Sequence, residues 1–296
     1  MPFSRILLCR PFGGINDTLE QINKCLKYAT RFQRMLYIDT SIGSGLLVNF
    51  SDVFKFNELL LNPNVRSAVQ QKDYALFNTL SVQPQEAYGR VHASGAWLDG
   101  LGWCINDTNV PFTFDFSMDY SENLLVHAQC GGGQQSHAEL LQYLSFSDHV
   151  RDNIMNEKLK LPTHYVSIHV RNTDYQTDYH SFFKTIKDDV IGKNIFIASD
   201  DEEVIQYSKD FFVTSAIYSL NKMKRLGNKP LHDRSVPYSQ VEKLSVATEA
   251  LTDLFLLAEA EKFYFTQTMG GSVSGFSNLA NYMCAHKRLL HSLLSA

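Results

Sequence analysis

The apolar residues fall into two patterns that alternate along the chain. Ile6-Leu7-Leu8-Cys9 is a short continuous apolar run, and Met35-Leu36-Tyr37-Ile38-Asp39 repeats it. Runs of this length suit strands buried on both faces of a sheet. Between them, Leu19, Ile22, Cys25, Leu26 and Ala29 recur at the spacing of one helical face. Gly13-Gly14 marks the turn before that helix, and Asn16 or Asp17 offers an oxygen for its N-cap. The chain thus opens as a β-loop-α-β unit.

Residues 45 to 125 are rich in aromatics, Asn and short apolar runs that hold neither period, so they predict few elements. Cys130-Gly131-Gly132-Gly133-Gln134-Gln135-Ser136 is small and polar, and a helical segment follows up to about Lys158. A domain junction is expected between 131 and 162. Beyond it the alternation returns. Tyr165-Val166-Ser167-Ile168-His169-Val170 and Ile195-Phe196-Ile197-Ala198 read as strands, and Ser199 with Glu202 has the spacing of a capping box at the next helix. Val241, Leu244, Leu251, Leu254, Phe255 and Ala258 mark a long amphipathic helix before a strand at Phe263-Tyr264-Phe265-Thr266. This predicts a second parallel α/β unit, whose ligands would lie at the carboxyl ends of its strands.

Composition narrows the class. Apolar residues make up 44% of the chain and charged residues 20%, as in a folded globular protein and unlike a disordered one. The net charge of -4, with scattered Lys and Arg, gives no basic face for nucleic acid. The length of 296 residues favours two domains. Five cysteines, odd in number and without a C-x-x-C pair, suggest free thiols in a reducing compartment. No stretch approaches the ~20 apolar residues of a membrane span, and the first apolar run is too short for a signal-peptide core. A cytoplasmic protein is expected.

The candidate chemistry stands at strand ends. After the 165–170 strand come Arg171, Asp174 and Tyr175, with His169 inside its last turn. Arg171 offers a planar fork of donors that can grip phosphate oxygens, or it pairs with Asp174 or Asp178 in a surface loop. His169 either contacts a ligand or is a satisfied core residue. Asp200 and Asp201 either meet a nucleotide or serve the positive end of a helix dipole. Thr266-Gln267-Thr268-Met269-Gly270-Gly271-Ser272-Val273-Ser274 is a small-residue loop suited to cradling phosphate or to an ordinary turn. It lacks the Gly-Lys-Ser/Thr of a Walker A loop, and Gly13-Gly14-Ile15-Asn16-Asp17 lacks the full G-x-G-x-x-G of a dinucleotide site.

Three segments then bear a family likeness. Ile168-His169-Val170-Arg171-Asn172-Thr173-Asp174, Ile195 through Asp201, and Ala250 through Ala260 with Thr266 resemble, in order and spacing, the α1,6-fucosyltransferases. The likeness is to the group of the core N-glycan enzyme and the rhizobial chitooligosaccharide enzyme, and more distantly to the protein O-fucosyltransferases. It covers about residues 140 to 285; in the first 130 residues only the Gly13-Gly14-Ile15-Asn16 turn is similar.

The resemblance implies an α/β, GT-B-like fold with two Rossmann-type domains facing across a cleft. Residues 1–140 would form the acceptor side and 141–296 the nucleotide-sugar side, with the last helix returning to the first domain. It implies an inverting, metal-independent glycosyltransferase that moves fucose from GDP-fucose to a glycan, with no other cofactor. By position, Arg171 would hold the diphosphate, His169 the nucleotide, Asp200 and Asp201 the guanine, and Thr266 and Ser272 the phosphate region. Gly13, Gly14 and Asn16 would border the donor, and Asp17 is a candidate base. The family often carries a second Arg after the first; here Asn172 stands in its place, which leaves open another deoxysugar such as rhamnose, or a non-catalytic carbohydrate-binding relative.

Overall fold

In the computed structural model, residues 5–57, 65–93, 95–132, 138–174, 176–220 and 236–295 are described. Gly133 to Ser136 of the polar run, and Tyr175, lie outside them. The chain divides into two compact units, Met1–Leu144 and Ser145–Ala296.

The first unit holds a five-stranded sheet in the order Val65–Arg66, Met35–Ile38, Ile6–Cys9, Leu124–His127, Val82–Gln83. Every neighbouring pair is parallel. From the central Ile6–Cys9 strand the chain winds outward on one side, then crosses to the far edge on the other. Parallel strands need helices over both faces, and the fully buried Ile6–Cys9, Met35–Ile38 and Leu124–His127 strands meet that demand. The Ile15–Phe32 helix buries Leu19, Ile22, Cys25, Leu26 and Ala29, the face that the sequence spacing predicts. Its N-cap is Gly14, so Asn16 and Asp17 lie inside the first turn instead of capping it. The glycines there are set by close approach. Gly13 has φ +93°, and a Cβ on Gly13 would stand 2.8 Å from Asp17 Oδ2.

The second unit has a four-stranded parallel sheet in the order Ala216–Tyr218, Asn194–Ser199, Val166–Val170, Phe263–Phe265. Its winding reverses between Val166–Val170 and Phe263–Phe265. On one face Val166, Ile168 and Val170 pack with Phe183, Ile186, Val190, Val204 and Ile205. Truncating a buried Ile such as Ile168 to Ala typically costs about 2–5 kcal/mol. On the other face Ser167 Oγ donates to Leu257 O at 2.7 Å, fixing the height of the Gln240–Glu259 helix on the strand.

Several local expectations change. The segment expected to be one helix up to Lys158 is a short helix at Ala138–Leu141, a strand at Leu144–Phe146 and a helix at Asp148–Lys158. Ser147 supplies a cap for the last of these by accepting from Val150 N–H. The helix after Ser199 is capped by Asp201, which accepts from Glu203 N–H at 2.9 Å; Ser199 Oγ accepts from Asp201 N–H instead. Asp can accept from the helix start directly, and it stands one residue before the helix, so it takes the cap. The last helix, Lys287–Ser292, packs on the Gln240–Glu259 and Gly275–Ala285 helices within the second unit. All five cysteines carry free thiols. No helix among the described residues is long and apolar enough to cross a membrane.

Candidate functional site

Ligands of doubly wound sheets bind outside the carboxyl ends of the strands, where the winding reverses. In the second unit that position falls at His169 and Val170 with Arg171 just after them, and at Thr266 just after the next strand. Thr266 N–H donates to His169 O at 3.2 Å, so the two strand ends are joined there.

Arg171 is held between two carboxylates. Its Nε lies 2.8 Å from Asp174 Oδ1 and 3.0 Å from Asp200 Oδ2, and Nη2 lies 2.6 Å from Asp174 Oδ1. These partners are not equivalent. Asp174 is 34% exposed, and an ion pair in that setting contributes about 0–1 kcal/mol. Asp200 is 6% exposed, and breaking a buried pair costs about 3–5 kcal/mol. Asp200 is thus the fixed partner and Asp174 the exchangeable one. The surface-loop pairing weighed from sequence is present with Asp174, whereas Asp178 caps the Tyr179–Val190 helix.

Asp200 and Asp201 brace the 171–174 loop. Asp200 accepts from Asn172 N–H at 2.7 Å and from Thr173 Oγ1 at 2.5 Å. Asn172 Nδ2 donates to Asp201 Oδ2 at 2.7 Å, while Asn172 Oδ1 accepts from Thr177 N–H at 3.1 Å. A second arginine has no acceptor atom to offer Thr177, so Asn172 gives this loop a tether that Arg could not.

His169 is buried, and its Nδ1 lies 2.6 Å from Ser277 Oγ. Its ring stands 5.0 Å from that of Phe276. Both neighbours belong to the first turn of the Gly275–Ala285 helix, capped by Ser274 Oγ, which accepts from Ser277 N–H at 3.1 Å. The expected phosphate cradle at Ser272 lies two residues earlier, in an exposed turn closed by Thr268 N–H to Ser272 O at 2.8 Å. Ser274, the last residue of the small-residue loop marked in the sequence, caps the helix, and Gly275 and Phe276, which the sequence does not single out, begin it; a helix start offers free N–H groups to an anion, and the first turn of this one meets His169. Thr266 is 4% exposed, and its Oγ1 has no hydrogen-bond partner among the described residues. A buried hydroxyl left in that state costs about 1–3 kcal/mol. Asp253, also passed over, is a buried carboxylate one helical turn before Leu257. One turn rises about 5.4 Å, which brings Asp253 from the level of Ser167 to that of His169.

In the first unit, Gly13, Gly14, Asn16 and Asp17 gather at the carboxyl end of Ile6–Cys9. Gly45 N–H donates to Gly13 O at 2.6 Å, and Thr18 Oγ1 lies 2.8 Å from Ser44 Oγ, so this turn is built around the 44–45 backbone. Asn16 is buried and Asp17 half-buried. Arg10, buried directly after the strand, donates to the carbonyls of Val91, His92 and Ala93.

No family model and no curated protein matches the sequence. Solved structures do match. An α1,6-fucosyltransferase, NodZ, co-crystallised with GDP, aligns with TM-score 0.62 at 15% identity, over 94% of this chain and 92% of its own. NodZ from Bradyrhizobium gives TM-score 0.62 at 17% identity, covering 94% and 93%. POFUT1 in complex with GDP gives 0.52 at 13% identity, covering 96% and 95%. The chain therefore shares the α/β fold, of GT-B type, found in these fucosyltransferases.

Proposed function

We propose that the protein transfers fucose from GDP-fucose to a glycan acceptor, with inversion at the transferred carbon and without a metal ion. The observation that carries this reading is Arg171. It is a cation fixed by buried Asp200 at the reversal point of the second sheet, two residues after His169, whose ring meets the first turn of the Gly275–Ala285 helix. The likeness to fucosyltransferases co-crystallised with GDP or soaked with GDP-fucose supports the donor class.

In the reaction an acceptor hydroxyl oxygen bonds to the sugar carbon as that carbon's bond to the diphosphate oxygen breaks. GDP leaves with the bonding pair, and the acceptor proton passes to a base. Charge grows on the leaving diphosphate, so a preorganised cation and helix dipole stabilise the transition state more than the ground state. Arg171 and the N–H groups at Gly275 and Phe276 supply that field, the work a divalent cation does in other transferases. Displacing Asp174 would release its share of the Arg171 fork for phosphate. Thr266 Oγ1, which has no partner among the described residues, is a donor for the same group. Guanine presents N1–H and N2–H donors, and carboxylates accept from such an edge; Asp201, with Asp200 beside it, is the carboxylate pair proposed for this role, and Asp253, buried at the level of His169, is a further candidate. His169 would contact the nucleotide from the carboxyl end of the Val166–Val170 strand. Asp17 is the candidate base, with Gly13, Gly14 and Asn16 shaping its turn; Ser272 would border the phosphate from the neighbouring loop.

A second reading, another deoxysugar donor, is favoured by Asn172 in place of the second arginine. Thermal melting with GDP, GDP-fucose, UDP and dTDP separates the two. A ligand at about 100 times its Kd stabilises the native state by about 2.7 kcal/mol. Shifts by GDP and GDP-fucose alone support the fucose donor. A shift only by another nucleotide transfers the reading to that donor, and no shift by any of them refutes both.

A further inference from the structure

Residues 95–105, where the sequence pattern is least legible, fold as an antiparallel ribbon. Its strands, Gly95–Leu98 and Gly102–Ile105, set Trp97 directly opposite Trp103. Opposed residues project from the same face of such a pair. Trp103 stacks on Phe12 at 4.4 Å between ring centroids, and Trp97 meets Trp103 edge-on at 6.2 Å and 75°.

The ribbon is fastened to the carboxyl edge of the first sheet. Trp103 N–H donates to Gln129 Oε1 at 3.0 Å, and Gln129 Nε2 returns a bond to Trp103 O at 2.7 Å. A Cβ on Gly102 would come 2.4 Å from Gln129 Oε1, so only glycine admits this side chain against the ribbon. Phe12 N–H in turn donates to Gln129 O at 2.9 Å. Phe12 follows the Ile6–Cys9 strand and Gln129 follows its neighbour Leu124–His127. These two strand ends mark the reversal in the first sheet, the place where doubly wound sheets receive ligands.

Trp97 is nevertheless 52% exposed, and its Nε1 donates to Asp99 Oδ1 at 3.1 Å. Folding has placed a large apolar ring beside this sheet edge, held by Trp103 and Asp99, and left about half of its surface in water. The chemistry beside it is specific. A pyranose has one face of C–H groups and a rim of hydroxyls; an aromatic plane covers the first, and a carboxylate accepts from the second. A protein partner needs an interface of about 1,000 Å² or more, far beyond one indole ring. A mounted ring also loses little freedom on binding, which favours a small ligand.

We propose that Trp97 is a platform on which one sugar ring of a saccharide acceptor stacks, with Asp99 accepting from a hydroxyl at its rim. The assignment rests on the transferase reading for the word acceptor, but its chemistry stands on the first unit alone.

The chain has two tryptophans, so intrinsic fluorescence reports the site directly. Acrylamide quenching of the whole chain is measured with and without chitotetraose, cellotetraose and a biantennary N-glycan. At least one of these saccharides should protect Trp97 from quenching and shift its emission to the blue. Trp97→Ala should weaken that saccharide's Kd about tenfold, the scale of one lost stacking contact, and Trp97→Phe, which keeps a ring, should recover part of it. The GDP melting shift is measured on the same wild-type sample. If GDP shifts the melt while no saccharide protects the indole, or if Trp97→Ala binds saccharide as the wild type does, the platform is overturned and the donor reading survives. If saccharide protects the indole and GDP does nothing, the platform stands and the donor reading fails.

Discussion

Asp200 Oδ2 lies 3.0 Å from Arg171 Nε while Asp200 Oδ1 accepts from the N–H of Asn172, so one buried carboxylate sets both the charge and the backbone of the 171–174 loop. Arg171→Lys keeps the charge beside Asp200 but loses the planar fork. The far-ultraviolet spectrum and melting temperature should stay near wild type. Transfer from GDP-fucose should fall about 100-fold or more, the scale of losing one preorganised transition-state donor. A Lys variant with wild-type kcat/KM would remove Arg171 from the mechanism.

Asp174 competes with phosphate for the same guanidinium. Asp174→Ala should bind GDP several-fold more tightly by titration calorimetry, because an exposed pair that contributes about 0–1 kcal/mol no longer has to be broken. Weaker GDP binding would mean that Asp174 holds Arg171 in its productive orientation.

Thr266 gives a test with opposite signs in the two states of the protein. Thr266→Val preserves shape while removing a buried hydroxyl that has no partner among the described residues. The ligand-free variant should melt at or above the wild-type temperature, since that hydroxyl costs about 1–3 kcal/mol. Its GDP-induced shift should shrink. A variant that is less stable without ligand and equally stabilised by GDP would show that Thr266 has a structural role only.

His127, fully buried in the first unit, lies 2.8 Å from Thr113 Oγ1 through Nδ1 and 2.7 Å from Gln21 Oε1 through Nε2. Gln21 Nε2 donates to Gly131 O, which leaves Oε1 as acceptor and assigns the imidazole proton to Nε2. Burial, reinforced by Lys24, pushes the imidazole pKa down from 6.5 to about 3. Between those values the unfolded chain holds a proton that the folded chain refuses. Stability should therefore fall as pH drops through this window, by up to about 1.4 kcal/mol per pH unit. Urea unfolding of wild type and His127→Gln at about pH 7 and about pH 4.5 isolates the effect, because carboxylates common to both cancel. Equal losses in the two proteins would show that His127 does not control acid stability.

Chelation supplies a further check on the proposed chemistry. With Arg171 and the helix start meeting the leaving charge, transfer rates should be unchanged by excess EDTA and by added Mg2+. A tenfold or larger dependence on either would move part of that stabilisation to a cation.

The sequence by itself determined the elements whose pattern is local. The continuous apolar run at Ile6–Cys9 and the Val166, Ile168, Val170 alternation each suit a buried strand, and the spacing from Leu19 to Ala29 marks one helical face. It also brought Arg171, Asp200 and Asp201 forward, because strand-end residues stand next to their strands in the chain. Tertiary structure decided what those residues hold. The 28 positions that separate Asn172 from Asp200 hide a 2.7 Å contact, since two parallel strands must first pair. Asp253 and the Ser274–Phe276 helix start join the site only when a helix and a strand dock at a particular height. The 95–105 ribbon was illegible for a related reason: its residues follow no period of their own, and Gln129, 26 positions after Trp103, fastens it in place.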